Sequence, residues 1–201
     1  MMTFKQFQNS LTESPMLITE YQPEELVNIQ KNKSLFKTIS TSNKKEIFRV
    51  DENAVVYRYK NSLVCLDYKD ECITYRMKFE INKNSKLGQF VWQSSLWRDI
   101  NFINTKPLPK KMFFGYLLKE FPVVLTDSVQ SFDGARFWVS RILDAFELNL
   151  HVYFYDFLNN NLIQINTVKE WDTFSRTNKT DIWGKTELHK LKRMIITSKT
   201  L

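Results

Sequence analysis

The sequence predicts an α+β domain, a mixed and mostly antiparallel sheet with flanking helices, on three observations. First, the runs "EIFRV", "AVVYRYK", "SLVCLDY", "CITYRMKFEI" and "LGQFVWQSSLW" are rich in β-branched and aromatic residues. Only the polar clusters "DEN", "KNS", "KDE" and "NKNSK" separate them, which is the pattern of antiparallel hairpins. Second, in "TYRMKFEI" the residues Tyr75, Met77, Phe79 and Ile81 alternate with Arg76, Lys78 and Glu80, so one sheet face is expected to be buried and the other wet. Third, the order then changes to strand, helix, strand through "VVLT", "ARFWVSRILDAF" and "LHVYFYD", with "RMIITS" as a last strand.

The elements follow in order. Phe4, Phe7 and Leu11 fall on one stripe of a short helix that Pro15 interrupts, so residues 1–20 read as an appendage and 21–201 as a single domain. In "YQPEELVNIQKNKSLF", Pro23 opens a helix of several turns, and Glu24 and Glu25 sit in its first turn, where the positive end of the helix dipole favours them. The stretch "PLPKKMFFGYLLKEF" reads as a second helix, opened by Pro109 and closed by Pro122. In the helix after "VVLT", the stripe Trp138, Ile142, Ala145 and Leu148 or Asn149 is expected to pack on the sheet.

A chain of 201 residues with 43% hydrophobic and 14% aromatic content can close one substantial core. No run of about 18 apolar residues occurs, and the N-terminus lacks the basic-then-apolar order of a secretory signal. An intracellular protein, or one carried inside a particle, is therefore expected. Cys65, Cys72, His151 and His189 are too scattered for zinc-ligand spacing, and two reduced structural thiols are expected. The net charge of +7 favours anionic partners: nucleic acid, a CoA-type cofactor or acidic proteins. The basic tail "KTELHKLKRMIITSKTL" reads as a solvated face.

Chemistry is most legible between "VVLT" and the following helix. A helix that begins right after a strand points its unpaired N–H groups at the strand's carboxyl end, where anions collect. Gly134 lets the backbone approach an anion and Arg136 adds charge; alternatively, Asp133 caps the helix and already occupies those N–H groups. The phosphate loops G-x-x-x-x-G-K-S/T and G-x-G-x-x-G are both absent from a chain with four glycines, which excludes the common nucleotide-binding turns.

The order of hairpins, "WQSSLWRD" from Trp92, then "VVLTDSVQSFDGARFW" and "LHVYFYD", resembles bacteriophage-encoded small proteins of GNAT-like (N-acetyltransferase) architecture over roughly residues 50 to 198. In that family a Gln or Arg, two residues, Gly, one residue, then Gly or Ala follow the fourth strand and bind the CoA pyrophosphate. Here Gln130-Ser131-Phe132-Asp133-Gly134-Ala135 carries one extra residue before its glycine. The resemblance implies acetyl-CoA or another acyl-CoA at Gln130, Gly134, Ala135 and Arg136, and an unidentified amine acceptor. A carboxylate takes the amine's proton and a tyrosine protonates the leaving thiolate, for which Asp127, Tyr153 and Tyr155 are the candidates by position. Asp127 serves equally as a turn cap, and the tyrosines as residues of a strand with one buried face.

The N-terminal "MTFKQFQNSLTE" resembles the capsid-targeting peptide of T-even-type phage internal proteins, a leader cut after Leu or Ile, any residue, then Glu. Leu11-Thr12-Glu13 and Ile18-Thr19-Glu20 both fit. This resemblance implies the second functional reading, a catalytically inactive internal or early protein that binds a host factor in the host cytoplasm or is packaged in the virion. Ser128, Ser140, Asp144 and the histidines lack a G-x-S-x-G elbow. Trp92, Trp97 and Arg98 read either as a base-stacking surface for single-stranded nucleic acid or as a core aromatic pair.

Overall fold

The computed structural model describes residues 23–126, 131–184 and 191–201. The leader triplets, Asp127, Ser128, Gln130 and His189 lie outside the described residues. The fold is α+β, and the described residues form nine strands in one mostly antiparallel sheet. By contacts the chain divides into two compact units: the described residues of Tyr21–Ile81 with Gln93–Glu120, and those of Asn82–Trp92 with Phe121–Leu201.

The first unit begins with α1 (Glu24–Val27), which starts after Pro23 with both glutamates in its first turn, as the sequence predicts. It does not run on as one helix. Asn28 adopts an extended conformation, and its side chain accepts a 3.0 Å hydrogen bond from the Lys31 backbone N–H, starting α2 (Ile29–Thr41) afresh. A side chain that competes for backbone donors thus ends one helix and caps the next.

The strands β1 (Lys45–Arg49), β2 (Ala54–Tyr59), β3 (Ser62–Asp67), β4 (Cys72–Asn84) and β5 (Gly88–Arg98) are the five predicted runs, and they lie side by side in sequence order. Their tight turns place Lys60 and Glu71 at φ 52°, a left-handed conformation taken here by residues with a Cβ. A bulge at Thr74 shifts the register of β4 against β3, so Leu66 faces Ile73, Cys65 faces Tyr75 and Val64 faces Arg76. Ile73 consequently joins Leu26, Phe36, Ile39, Val64 and Leu66 beneath α2, whereas Tyr75, Met77 and Phe79 are buried with Leu63 and Cys65. The predicted alternation holds over most of β4 but fails at its end, where Ile81 is exposed. Burial pushes the thiols of Cys65 and Cys72 up to about 11 and about 12, and both are free cysteines.

The predicted helix 107–121 is in three pieces: α3 (Leu108–Met112), a π-helical turn (Phe113–Leu117) and α4 (Leu118–Glu120). Tyr116 and Glu120 reach Arg58 of β2 at 3.3 and 3.8 Å, and Lys111 lies 3.1 Å from the centroid of the Phe48 ring on β1.

The second unit holds β6 (Val123–Leu125), α5 (Phe132–Glu147), β7 (His151–Asp156), β8 (Asn161–Ile165), α6 (Val168–Thr177), α7 (Lys179–Trp183) and β9 (Lys192–Thr197). β6 runs parallel to β5, with Val91 opposite Val124 and Trp92 opposite Leu125. β9 is antiparallel to both β6 and β7, so β6 and β7 are parallel with β9 between them. The strand–helix–strand segment is therefore a split βαβ unit, closed by a strand from the end of the chain. That strand corrects the reading of the tail as a solvated face: Arg193 is only 4% exposed, with its guanidinium 5.8 Å from the Trp92 ring centre.

In α5, Ala135, Trp138, Val139, Ile142 and Ala145 are buried. Leu148, expected on the same stripe, is 52% exposed because the helix ends at Glu147. β8, α6 and α7 have no counterpart in the sequence reading. Trp138→Ala is expected to cost about 3 to 5 kcal/mol in urea unfolding, the usual penalty for emptying a buried aromatic site. A loss below about 1 kcal/mol would contradict the packing of α5.

Candidate functional site

Ser131, and not Asp133, is the residue that caps α5: its Oγ accepts the Gly134 backbone N–H at 3.0 Å. Asp133 lies inside the first turn, where it faces Arg136 at 3.7 Å, and the Arg136 guanidinium stands 5.3 Å from the centre of the Phe132 ring. Ala135 is completely buried. Of the sequence-predicted cofactor residues, Gly134, Ala135 and Arg136 thus share one helix turn in which the Gly134 N–H is already taken by a serine.

Tyr153 and Tyr155 lie on β7 at 2% and 4% exposure, on a strand buried on both faces and not on one as expected. They share a cluster with Leu87, Phe90, Leu125 and Ile195. The Tyr153 hydroxyl accepts from the Leu201 backbone N–H at 3.3 Å, and the Tyr155 hydroxyl donates to Asn160 Oδ1 at 2.8 Å. Burial pushes the Tyr155 phenol above its ordinary value of 10.0, which keeps it protonated at neutral pH. Ser140 and Asp144 both bond Arg141, at 2.9 and 2.7 Å, within one helix turn. The tryptophans do not form the anticipated pair: Trp92 packs with the cluster around Phe90, and Trp97 with the one beneath α2.

A different arrangement appears in the first unit. Along α2, Lys31, Ser34, Leu35 and Thr38 follow at i, i+3, i+4 and i+7 and form one wall of a groove of about 430 Å³, completed by Glu25 and Arg76. Arg76 lies on this side of the sheet by plain alternation, paired with Val64 and opposite in face to Tyr75 and Met77. Its Nη1 donates to Glu25 Oε1 at 3.2 Å, and Lys78 Nζ lies 3.6 Å from the same oxygen. Arg76 Nε is buried and has no hydrogen-bond partner among the described residues. Lys31 pairs with Glu24 at the rim. Strict alternation placed Arg76 on the face opposite Tyr75 and Met77, where it lies, but no pattern along the strand reveals that α2 flanks that face.

The wall is held by Asn32, 6% exposed. Its Nδ2 donates to the carbonyls of Leu26 at 2.8 Å and Ile73 at 3.0 Å, while its Oδ1 accepts the Ile73 N–H at 2.7 Å. No protein-family model matches the chain, and a search of curated proteins found no match.

Asn32→Ala would leave those buried backbone groups without partners and is expected to cost on the order of 3 kcal/mol in urea unfolding. Asn32→Asp should not rescue it, because a carboxylate has no donors.

Among the described residues, three carboxylates titrate below their ordinary values. Glu25 is lowered by its own backbone N–H at the start of α1, against partial burial, with Lys78 and Arg76 adding to the effect. Asp51 is lowered by the Asn53 N–H and the Asn104 amide. For Asp156 burial opposes the shift, but Asn159, Leu158 and Lys192 outweigh it. Each group stabilises the fold fully above its unfolded value, 4.5 for Glu25 and 3.8 for the aspartates, and that contribution is lost as pH falls through the lower folded value. The contribution of these groups to Tm is expected to be level from about pH 5 to 7 and to fall below about pH 4. Asp51→Asn should flatten part of that fall in thermal melts across the pH range.

Proposed function

We propose that this chain is a binding protein, a non-catalytic α+β scaffold that engages an acidic macromolecular partner, and not an acyltransferase. In the phage setting implied by the sequence resemblance, that partner is a host factor. The observation that carries this reading is the state of the candidate acid groups: Tyr153 and Tyr155 are closed into the core with their hydroxyls already bonded. A general acid must reach the leaving thiolate, and each of these phenols would first have to leave its present partner, Leu201 or Asn160. The helix N-terminus intended for a pyrophosphate already gives its Gly134 N–H to Ser131. Support for binding comes from the net charge of +7 and from a groove that combines cations with an apolar side chain, Leu35. No described helix is long and apolar enough to cross a membrane.

Isothermal calorimetry with acetyl-CoA is expected to give no heat, and incubation with acetyl-CoA and simple amines to release no free CoA thiol. Micromolar to millimolar binding that Gly134→Val abolishes would overturn this reading and restore the acyltransferase, since a branched Cβ at that position blocks an anion's approach to the helix N-terminus.

A further inference from the structure

We propose that the groove along α2 takes an acidic segment of a partner protein in extended form, with Arg76 as the anchoring cation and Glu25 as an internal carboxylate that the partner displaces. This rests on the binding reading above and names where and how binding occurs. The lining from Lys31 to Thr38 covers seven residue steps of helix, about 10 Å, which matches about three residues of extended chain. The groove is thus suited to a short linear segment.

Its charges select the sign of that segment. Arg76, Lys78 and Lys31 face Glu25 and Glu24, which leaves one positive charge in excess. Arg76 spends only Nη1 on Glu25, and its Nε is buried without a partner among the described residues. A guanidinium also offers carboxylates a two-pronged end through its two amino groups, and that pairing is stronger and more directional than the single bond Arg76 now makes. Glu25 occupies the position of an incoming carboxylate imperfectly: it takes one prong of Arg76 and a 3.6 Å contact with Lys78, and its side chain is 42% exposed. When displaced it can turn to solvent, where its charge costs little to hydrate. Leu35 on the wall provides apolar contact for the segment's side chains, and Ser34 and Thr38 line the groove as polar neighbours.

The test is fluorescence polarisation of a fluorescein-labelled hexaglutamate peptide with the full chain at low salt. Saturable binding is expected, weakened by added salt and weakened at least about tenfold by Arg76→Gln. Arg76→Lys keeps the charge but not the fork, and is expected to fall between the two. Glu25→Gln is expected to tighten binding about threefold or more by removing the internal competitor, while Glu80→Gln, the same charge change at an exposed site, stays within about twofold. Thermal melts establish that each variant is folded; should Arg76→Gln unfold, Arg76→Lys and Glu25→Gln decide the matter.

The proposal is overturned if hexaglutamate does not bind, or if binding is indifferent to Arg76. It also falls if Glu80→Gln tightens binding as much as Glu25→Gln, which would mean that net charge alone is being read. Competition by inorganic phosphate at the same concentration as by unlabelled hexaglutamate would mark a small-anion site and overturn it as well. Peptide binding that ignores the groove variants removes this site and leaves the binding reading standing, whereas acetyl-CoA binding removes that reading itself.

Discussion

The first unit depends on one buried amide. Ile73 sits next to the Thr74 bulge, where regular pairing of β4 with β3 breaks, and Asn32 answers both its N–H and its C=O much as a neighbouring strand would. The same side chain bonds the Leu26 carbonyl at the end of α1, so a single residue fastens two helices to a strand at its irregular point. Apolar burial of Phe36, Ile39 and Leu66 supplies the attraction but no direction. The amide supplies the register, because its donor and acceptor fit Ile73 in only one position along the strand. The groove wall follows from that register: Lys31 and Leu35 flank Asn32 on the helix, and Arg76 follows the bulge on the strand.

The second unit solves a different problem. β6 is three residues long, and its parallel ladder with β5 has two residue pairs. A strand so short gains little from its own hydrogen bonds. β9 compensates by entering between β6 and β7, where Ile196 is paired with Val124 on one side and Val152 on the other. This insertion buries a segment that begins with Lys192 and Arg193. Both cations find partners inside the unit: Lys192 lies 2.7 Å from Asp181, and Arg193 stands over Trp92. A basic run therefore need not be a solvated face when its charged heads can stay paired while the stems are buried.

Much of the fold was legible because its signals are local. The five hairpin strands, the Pro23 start and the strand–helix–strand order each rest on residues within about ten positions of one another. The Thr167-Val168-Lys169-Glu170 start of α6 is an equally local signal: Thr167 Oγ1 accepts the Glu170 N–H at 3.1 Å, and Glu170 reaches back to the Asn166 N–H at 2.8 Å. Other features have no local signature. Nothing near Thr74 announces a bulge, and among the described residues the left-handed positions fall on Lys60, Glu71, Asn149 and Asn160 as well as on Gly88, so most of these turns lack the usual glycine marker. The surroundings of the candidate tyrosines are hidden from the sequence for a related reason. Tyr153 and Tyr155 alternate correctly with their neighbours, but β7 lies between β8 and β9 in the sheet and is buried on both faces, which a pattern along one strand does not reveal.

The groove and the closed tyrosine cluster differ in how they treat unsatisfied polar groups. In the cluster the hydroxyls are matched by the chain's own atoms, and such a network resists any ligand that would have to break it. In the groove Arg76 is met halfway: one nitrogen is paired with a half-exposed carboxylate and another is unmatched among the described residues. A fully paired arginine in this position would stabilise the unit more and bind nothing, and an unpaired one would carry the full cost of a partly buried charge. Glu25 sets the intermediate state: close enough to Arg76 and Lys78 to offset their repulsion, exposed enough to leave. Any partner carboxylate must therefore compete with Glu25, so affinity in the groove depends on the difference between two ion pairs and discriminates by geometry more than by charge.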